Sequence, residues 1–331
     1  MKATKGYIFS LLTILFLSVF IAACTSNNES GSEVESNSAT EEQSNASSTE
    51  SSTKVMEDAM SDSVEIPANP ERIIAPYLED SLIALGIKPA AQWSIGETVL
   101  DYLQPSLQDV PTIGWDLPVE QVLSHEPDLI ILSSAGAIQN GLYEEYMKIA
   151  PTYVFKDEVS ADWREQLRTM GEIVNKEEEA EAALTSYEEK AAAAKEQLQE
   201  SIGDESVAIL WVMAQQYYLF EETRLSANVL YDDLGLTVPS FVEGLPEAKA
   251  QWDPISLEKL ADLDADHLFV LYAENETASV EELYNSSIWK GLPAVTNNQV
   301  YEIKDPSNWT ISGLVASEKT IDEVMQALAH E

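Results

Sequence analysis

The feature that most constrains the fold is an internal repeat. Val119-Glu120-Gln121-Val122-Leu123, then Pro127-Asp128-Leu129-Ile130-Ile131-Leu132, aligns without gaps on Leu257-Glu258-Lys259-Leu260-Ala261, then Ala265-Asp266-His267-Leu268-Phe269-Val270. Each copy reads as a short helix, a tight turn and a buried strand. A second pair keeps the same order: Leu82-Ile83-Ala84-Leu85-Gly86-Ile87 against Leu230-Tyr231-Asp232-Asp233-Leu234-Gly235-Leu236. Each of those follows an apolar strand, 72–75 and 207–212. Strands alternating with helices imply parallel sheets, and duplication of the unit implies two similar α/β lobes.

Between the copies, residues 177–202 carry apolar side chains at Ala180, Ala183, Leu184, Tyr187, Ala191, Ala194, Leu198 and Ile202, with no Pro or Gly inside. Steps of three and four are a helix period. Such a helix is about 39 Å long at 1.5 Å per residue, a stiff connector that spans both lobes and resists large hinge closure. The expected organisation is a signal peptide over 1–23, a tether over 24–62, an N-terminal lobe over 63–175, a linking helix over 176–202 and a C-terminal lobe over 203–331.

The leader rests on Lys2 and Lys5 ahead of an apolar run, Tyr7 to Phe20, closed by Ile21-Ala22-Ala23-Cys24. That run is shorter than the roughly 20 residues that span a bilayer, and the small residues before Cys24 resemble the lipobox of bacterial lipoproteins. Cys24 is the one cysteine, so a disulfide within the chain, a thiol catalyst and a Cys-based metal site are all excluded. Lipidated, it would hold the chain on the outer face of the cytoplasmic membrane. Residues 25 to about 62 are Ser, Glu, Asn and Thr, a composition too polar to pack. A formal charge of −40 argues against nucleic acid as a partner.

Ligands of open parallel sheets sit at the carboxyl ends of the strands. At such places the sequence puts Tyr77, Trp93 and Trp115 in the first lobe, with Ser133 and Ser134. In the second lobe it puts Tyr217, Trp252, Tyr272 and Trp309. Aromatic faces with polar tips suit a half-apolar, oxygen-rich ligand. Of four arginines, Arg72 begins a strand, away from the cleft. Arg164 and Arg168 fall four apart on a helix and read as a solvated face. Arg224 lies in a loop of the second lobe, where its guanidinium could donate forked hydrogen bonds to ligand oxygens. The alternative for Arg224 is a surface ion pair with Glu221 or Glu222.

Several stretches together resemble the iron-siderophore and vitamin B12 class of substrate-binding proteins of ABC importers. They are 64–74 (Val64-Glu65-Ile66-Pro67 through Arg72-Ile73-Ile74), Leu85-Gly86-Ile87-Lys88-Pro89, Glu126-Pro127-Asp128-Leu129-Ile130-Ile131, Ile149-Ala150-Pro151-Thr152, 289–295 and Asn298-Gln299-Val300-Tyr301. The resemblance covers about residues 62 to 330. It implies an α/β fold of two Rossmann-like lobes with parallel sheets joined by one long rigid helix, and a shallow ligand cleft between them. It also implies a monomer that delivers its cargo to a membrane permease with a cytoplasmic ATPase. Segments 217–231, 252–260 and 309–316 are most like the ferric-hydroxamate binders. Those carry an arginine one residue after Arg224, and some have arginine where Trp115 stands. A cleft with one basic candidate suits a neutral ferric trihydroxamate or a citrate-hydroxamate of low charge better than a multiply charged catecholate complex. Iron then enters only with the ligand, and no cofactor is required.

In this class acidic residues atop each lobe pair with permease arginines. By the repeat, Glu144 and Glu145 in the first lobe and Glu281 and Glu282 in the second occupy matching places, each pair at the start of a helix after a strand. The rival readings are three. Direct metal binding has only His125, His267 and His330, two of them before strands. An enzyme lacks any nucleophile elbow or phosphate loop. The same fold could also carry cobalamin or haem.

Overall fold

The computed structural model describes residues 53–61, 63–249 and 251–329. The leader, Cys24, the tether up to residue 52 and His330 lie outside the described residues. Eleven strands are present among them: β1 (Thr53–Met56), β2 (Val64–Pro67), β3 (Ile73–Ile74), β4 (Gln92–Ser94), β5 (Thr112–Gly114), β6 (Leu129–Leu132), β7 (Thr152–Val154), β8 (Val207–Met213), β9 (Gln216–Leu219), β10 (His267–Leu271) and β11 (Val300–Ile303).

In the first lobe β3, β6 and β7 form one parallel sheet and β4 and β5 another. A parallel bridge between Ile74 and Ala91 joins them, giving the order β5-β4-β3-β6-β7. The second lobe has the order β11-β10-β8-β9. Both repeat copies fold as the spacing predicts: helix Val119–Ser124 before β6, and helix Leu257–Leu260 before β10. β6 is buried along its whole length, and so is β10, as parallel strands covered on both faces must be.

Besides the antiparallel pair β1–β2, one strand of the second-lobe sheet departs from the parallel pattern. β9 runs antiparallel to β8 through a two-residue turn at Ala214 and Gln215, both with positive φ (50° and 59°). That is the geometry of a tight hairpin, usually announced by Asn-Gly, and Ala-Gln conceals it in the sequence.

The linking helix runs Glu177–Ser201. Ala and Glu dominate it, both good helix formers, and Glu177, Glu178 and Glu179 sit in its first turn, where the helix dipole favours negative charge. Its buried stripe is Ala180, Leu184, Tyr187, Ala191, Ala194 and Leu198. The stripe packs on helices Trp163–Val174 and Leu314–Leu328, one from each lobe. Gly171 permits the first of these crossings, since a Cβ there would lie 2.9 Å from the Ala180 Cβ.

The expected tether through residue 62 is corrected at its end. β1 pairs with β2 from Thr53 onward. The strand is held by polar anchors that hydropathy does not reveal. Lys54 Nζ donates to Asn175 Oδ1 at 2.7 Å, and just beyond the strand Asp58 Oδ2 accepts from Val154 N at 2.9 Å.

Candidate functional site

The carboxyl ends of β3, β4 and β5 form an aromatic ledge. After β3 the chain turns sharply at Tyr77, whose φ of 66° is rare for an aromatic residue. The ring is 48% exposed and meets Trp93 of β4 edge-on, with centroids 4.5 Å apart. Trp93 itself is buried, so it supports the ledge rather than topping it. Trp115 follows β5 and is 51% exposed, its N–H donating to Ser94 O at 2.9 Å. Ile95, also exposed, follows β4. Large apolar groups exposed together at strand ends mark a contact surface.

In the second lobe the aromatics expected at the cleft separate. Trp252 packs against Trp211, Tyr218 and Phe220, with centroids 5.1, 5.9 and 4.9 Å away. Tyr217 stays half-exposed on β9, its carbonyl accepting from Ile255 N at 2.8 Å. Burial and the nearby Glu282 carboxylate push its phenol pKa up. Two residues expected at the cleft are corrected. Trp309 is 0% exposed, lies over Phe269 and donates from Nε1 to Glu323 Oε2 at 2.7 Å. Tyr272 is buried beside β11, its hydroxyl donating to Glu302 Oε2 at 3.0 Å. Trp309 thus bonds a carboxylate of helix Leu314–Leu328, and Tyr272 one on the neighbouring strand β11.

The two informative arginines exchange character. Arg224 is only 6% exposed. Its Nε and Nη2 donate to Glu221, its Nη2 also to Lys249 O at 3.0 Å, and its guanidinium lies 4.0 Å from the Trp252 ring centroid. The partner is the Glu221 of the ion-pair alternative, but the pair is buried rather than at the surface. Arg164, read as part of a solvated face, instead lines a cavity of about 280 Å³ between the lobes. Its Nη2 lies 2.7 Å from Asp233 Oδ1, and its guanidinium lies 4.3 Å from the Trp163 ring centroid. Arg168, four residues on, does face solvent and pairs with Glu165 and Glu181.

That cavity is walled by Ser160 and Asp162 of the first lobe and by Thr223, Leu225 and Ser312 of the second. Ser160 Oγ donates to Ser133 O, at the carboxyl end of β6. Ile311 lines the cavity and also packs in the cluster that contains Trp93. The cavity therefore adjoins the ledge, on the side where ligands of such sheets bind. No spacing pattern announced Arg164, because its role depends on Asp233 in the other lobe.

The remaining candidates divide. Arg72 donates to His125 O and Glu126 O, at the amino end of β6, and the ring of His267 is bonded to Glu205 and Tyr301. Among the described residues no group of three or more His, Cys, Asp or Glu could hold a metal ion. Glu144 and Glu145 are exposed in the first turn of helix Tyr143–Met147. Glu281 and Glu282 are exposed too, but mid-way along helix Thr277–Asn285, which corrects their expected place at a helix start. Glu276 precedes that helix instead, accepting from Ala214 N at 2.8 Å in the β8–β9 turn.

The model of the periplasmic binding protein family matches residues 78–306. The chain belongs to that family. Among its relatives, this binding protein is 28% identical over 335 residues to the probable siderophore-binding lipoprotein YfiY of Bacillus subtilis, covering 95% of this chain and 96% of the relative. It is also 28% identical to the iron(3+)-hydroxamate-binding protein FhuD of the same organism, covering 95% of each chain. Among solved structures, Staphylococcus aureus SirA complexed with staphyloferrin B superposes with a TM-score of 0.69 at 25% identity, covering 83% of this chain and 98% of that one. The protein is thus a member of the periplasmic binding protein family with the two-lobed α/β fold.

Proposed function

We propose that this binding protein is held to the outer face of the cytoplasmic membrane by a lipid on Cys24, captures a ferric hydroxamate or citrate-hydroxamate siderophore between its lobes, and delivers it to an ABC permease with a cytoplasmic ATPase. One observation carries the cargo. The exposed aromatic ledge of Tyr77 and Trp115 adjoins a cavity whose arginine is already paired with a carboxylate. Arg224, a second arginine near this region, is likewise spent on Glu221. A multiply anionic ferric complex would lose its hydration there without gaining free cations, whereas a complex of low charge needs only aromatic faces and hydroxyl donors. The relatives' names agree: YfiY is called siderophore-binding and a lipoprotein, and FhuD hydroxamate-binding. SirA, complexed with staphyloferrin B, supports a second reading in which the cargo is another siderophore.

Exposed glutamates on each lobe are the candidate permease contacts: Glu144 and Glu145, and Glu281 and Glu282. Glu282 lies close enough to Tyr217 to shift its titration, which favours a position near the ligand-bearing rim. The deciding experiment is quenching of tryptophan emission by a panel of ferric and iron-free siderophores. Tightest binding of a ferric hydroxamate is expected; tighter binding of a catecholate or of staphyloferrin B would replace the cargo assignment. Exchanging one glutamate pair per lobe for alanine should leave binding intact and lower uptake, and normal uptake would remove these residues from the docking surface.

A further inference from the structure

Two adjacent acidic residues, Glu79 and Asp80, open the first helix of the N-terminal lobe, Glu79–Ala84, and both are buried. Buried carboxyls without a cation are costly, and each here has a specific task. Glu79 Oε1 accepts from Trp93 N at 2.7 Å, while its Oε2 has no hydrogen-bond partner. Asp80 reaches across the lobe boundary. Its Oδ1 accepts from Val315 N at 3.0 Å and its Oδ2 from Ala316 N at 2.9 Å. Those are first-turn amides of helix Leu314–Leu328, which otherwise lack partners. Tyr102 donates its hydroxyl to the same Oδ2 at 2.9 Å, and Tyr102 N bonds Ser307 Oγ of the second lobe at 3.0 Å. Gly313 leaves room for this approach, since a Cβ there would lie 2.7 Å from Asp80 Oδ2.

We infer that Glu79 and Asp80 are positioning residues for the ligand cleft, a two-residue clasp that fixes the Tyr77–Trp93 ledge with one carboxyl and grips the opposite lobe with the next. The ledge hangs from the same turn: Tyr77 immediately precedes it, and Trp93 is tied to Glu79 through its amide. Because adjacent residues on one turn cannot move independently, the ledge and the last helix of the second lobe keep a fixed separation. The linking helix sets the lobes' spacing at the back, and the clasp sets it next to the cavity. This inference rests on the reading that the ledge meets the siderophore.

The test uses the full chain, ferrioxamine B as probe, and two readouts. In Asp80→Ala, amide hydrogen exchange at Val315 and Ala316 should speed up, and ferrioxamine B affinity should fall about tenfold, the scale of one lost charge-assisted hydrogen bond. Asp80→Asn keeps one acceptor oxygen but turns its amide NH2 against the other backbone donor, so it should lose affinity to an intermediate extent, about three- to tenfold. Glu79→Gln should alter affinity and Trp93 emission while leaving exchange at Val315 and Ala316 unchanged. Unchanged exchange in Asp80→Ala would mean no clasp exists. Faster exchange with an unchanged dissociation constant would mean the contact is structural only, and either result overturns the inference. If Asp80→Ala does not fold, Asp80→Asn is judged by the same two criteria at an intermediate size. Failure of the wild-type protein to bind any ferric hydroxamate would sink the proposed cargo instead, and the exchange readout alone would then decide the clasp.

Discussion

Arg164 of the first lobe and Asp233 of the second are 2.7 Å apart, and Tyr187 of the linking helix donates to the other Asp233 oxygen at 2.5 Å. One carboxylate thus joins both lobes and their connector. Asp233→Asn should lower stability by about 1–3 kcal/mol. It should also free the Arg164 charge toward the cavity, so that anionic ferric complexes gain about tenfold relative to neutral ones. Urea melts and fluorescence titrations check the two effects. Unchanged selectivity would show that Arg164 does not reach the ligand.

Arg224→Ala should cost stability, roughly 3 kcal/mol, because it strands the Glu221 carboxylate and uncovers Trp252. The double change Arg224→Ala with Glu221→Ala should recover part of that loss, measured as a coupling energy in a double-mutant cycle. Additive losses would contradict the buried pair.

Gly313→Ala should destabilise by about 1–3 kcal/mol through overpacking against Asp80. Its φ of 171° is ordinary extended backbone, so the cost is steric and not conformational. Combining it with Asp80→Ala, which removes the obstruction, should abolish the extra penalty. Thermal melts of the single and double variants read this directly.

Burial raises the Glu79 carboxyl pKa to about 7, with Asp80 the nearest acidic neighbour; Tyr77 and Tyr102 are the other titratable groups beside it. Its ordinary value is 4.5. A raised carboxyl pKa stabilises the fold below the unfolded value, and that stability is lost as pH rises through the folded value. The window is therefore pH 4.5 to 7, and the loss is on the order of 3 kcal/mol at 1.36 kcal/mol per unit. Glu79→Gln should remove this slope. Relative to wild type, the variant should gain between pH 5 and pH 8 in denaturant titrations, and parallel curves would show that Glu79 does not titrate there.

Much of the architecture was legible because it depends on local periodicity. The gapless repeat gives two lobes, since each copy buries a strand that needs neighbours. The 3.6-residue stripe from Ala180 to Leu198 gives the linking helix almost to the residue. The ledge lies where strand ends place aromatics: Tyr77 and Trp115 are exposed there, with Trp93 beneath. The antiparallel β9 was not legible, because Ala214 and Gln215 adopt positive φ without the residues that favour it.

Which charges are free was decided by tertiary structure alone. Arg164 and Arg168 share a helix and a spacing, yet one finds Asp233 across the lobes and the other finds Glu165 and Glu181 at the surface. Trp309, expected at the cleft, is drawn inward by Glu323, and Asp80 is claimed by Val315 and Ala316 of the other lobe, a contact that no sequence pattern marks. The sequence by itself determined most of the elements and their order, because backbone geometry and hydrophobic period act over a few residues. The polarity of the site came only with the fold, because a buried charge or donor must find its partner. For Arg164, Asp80 and Trp309 that partner arrives from a distant segment or from an opposite face that no spacing rule specifies.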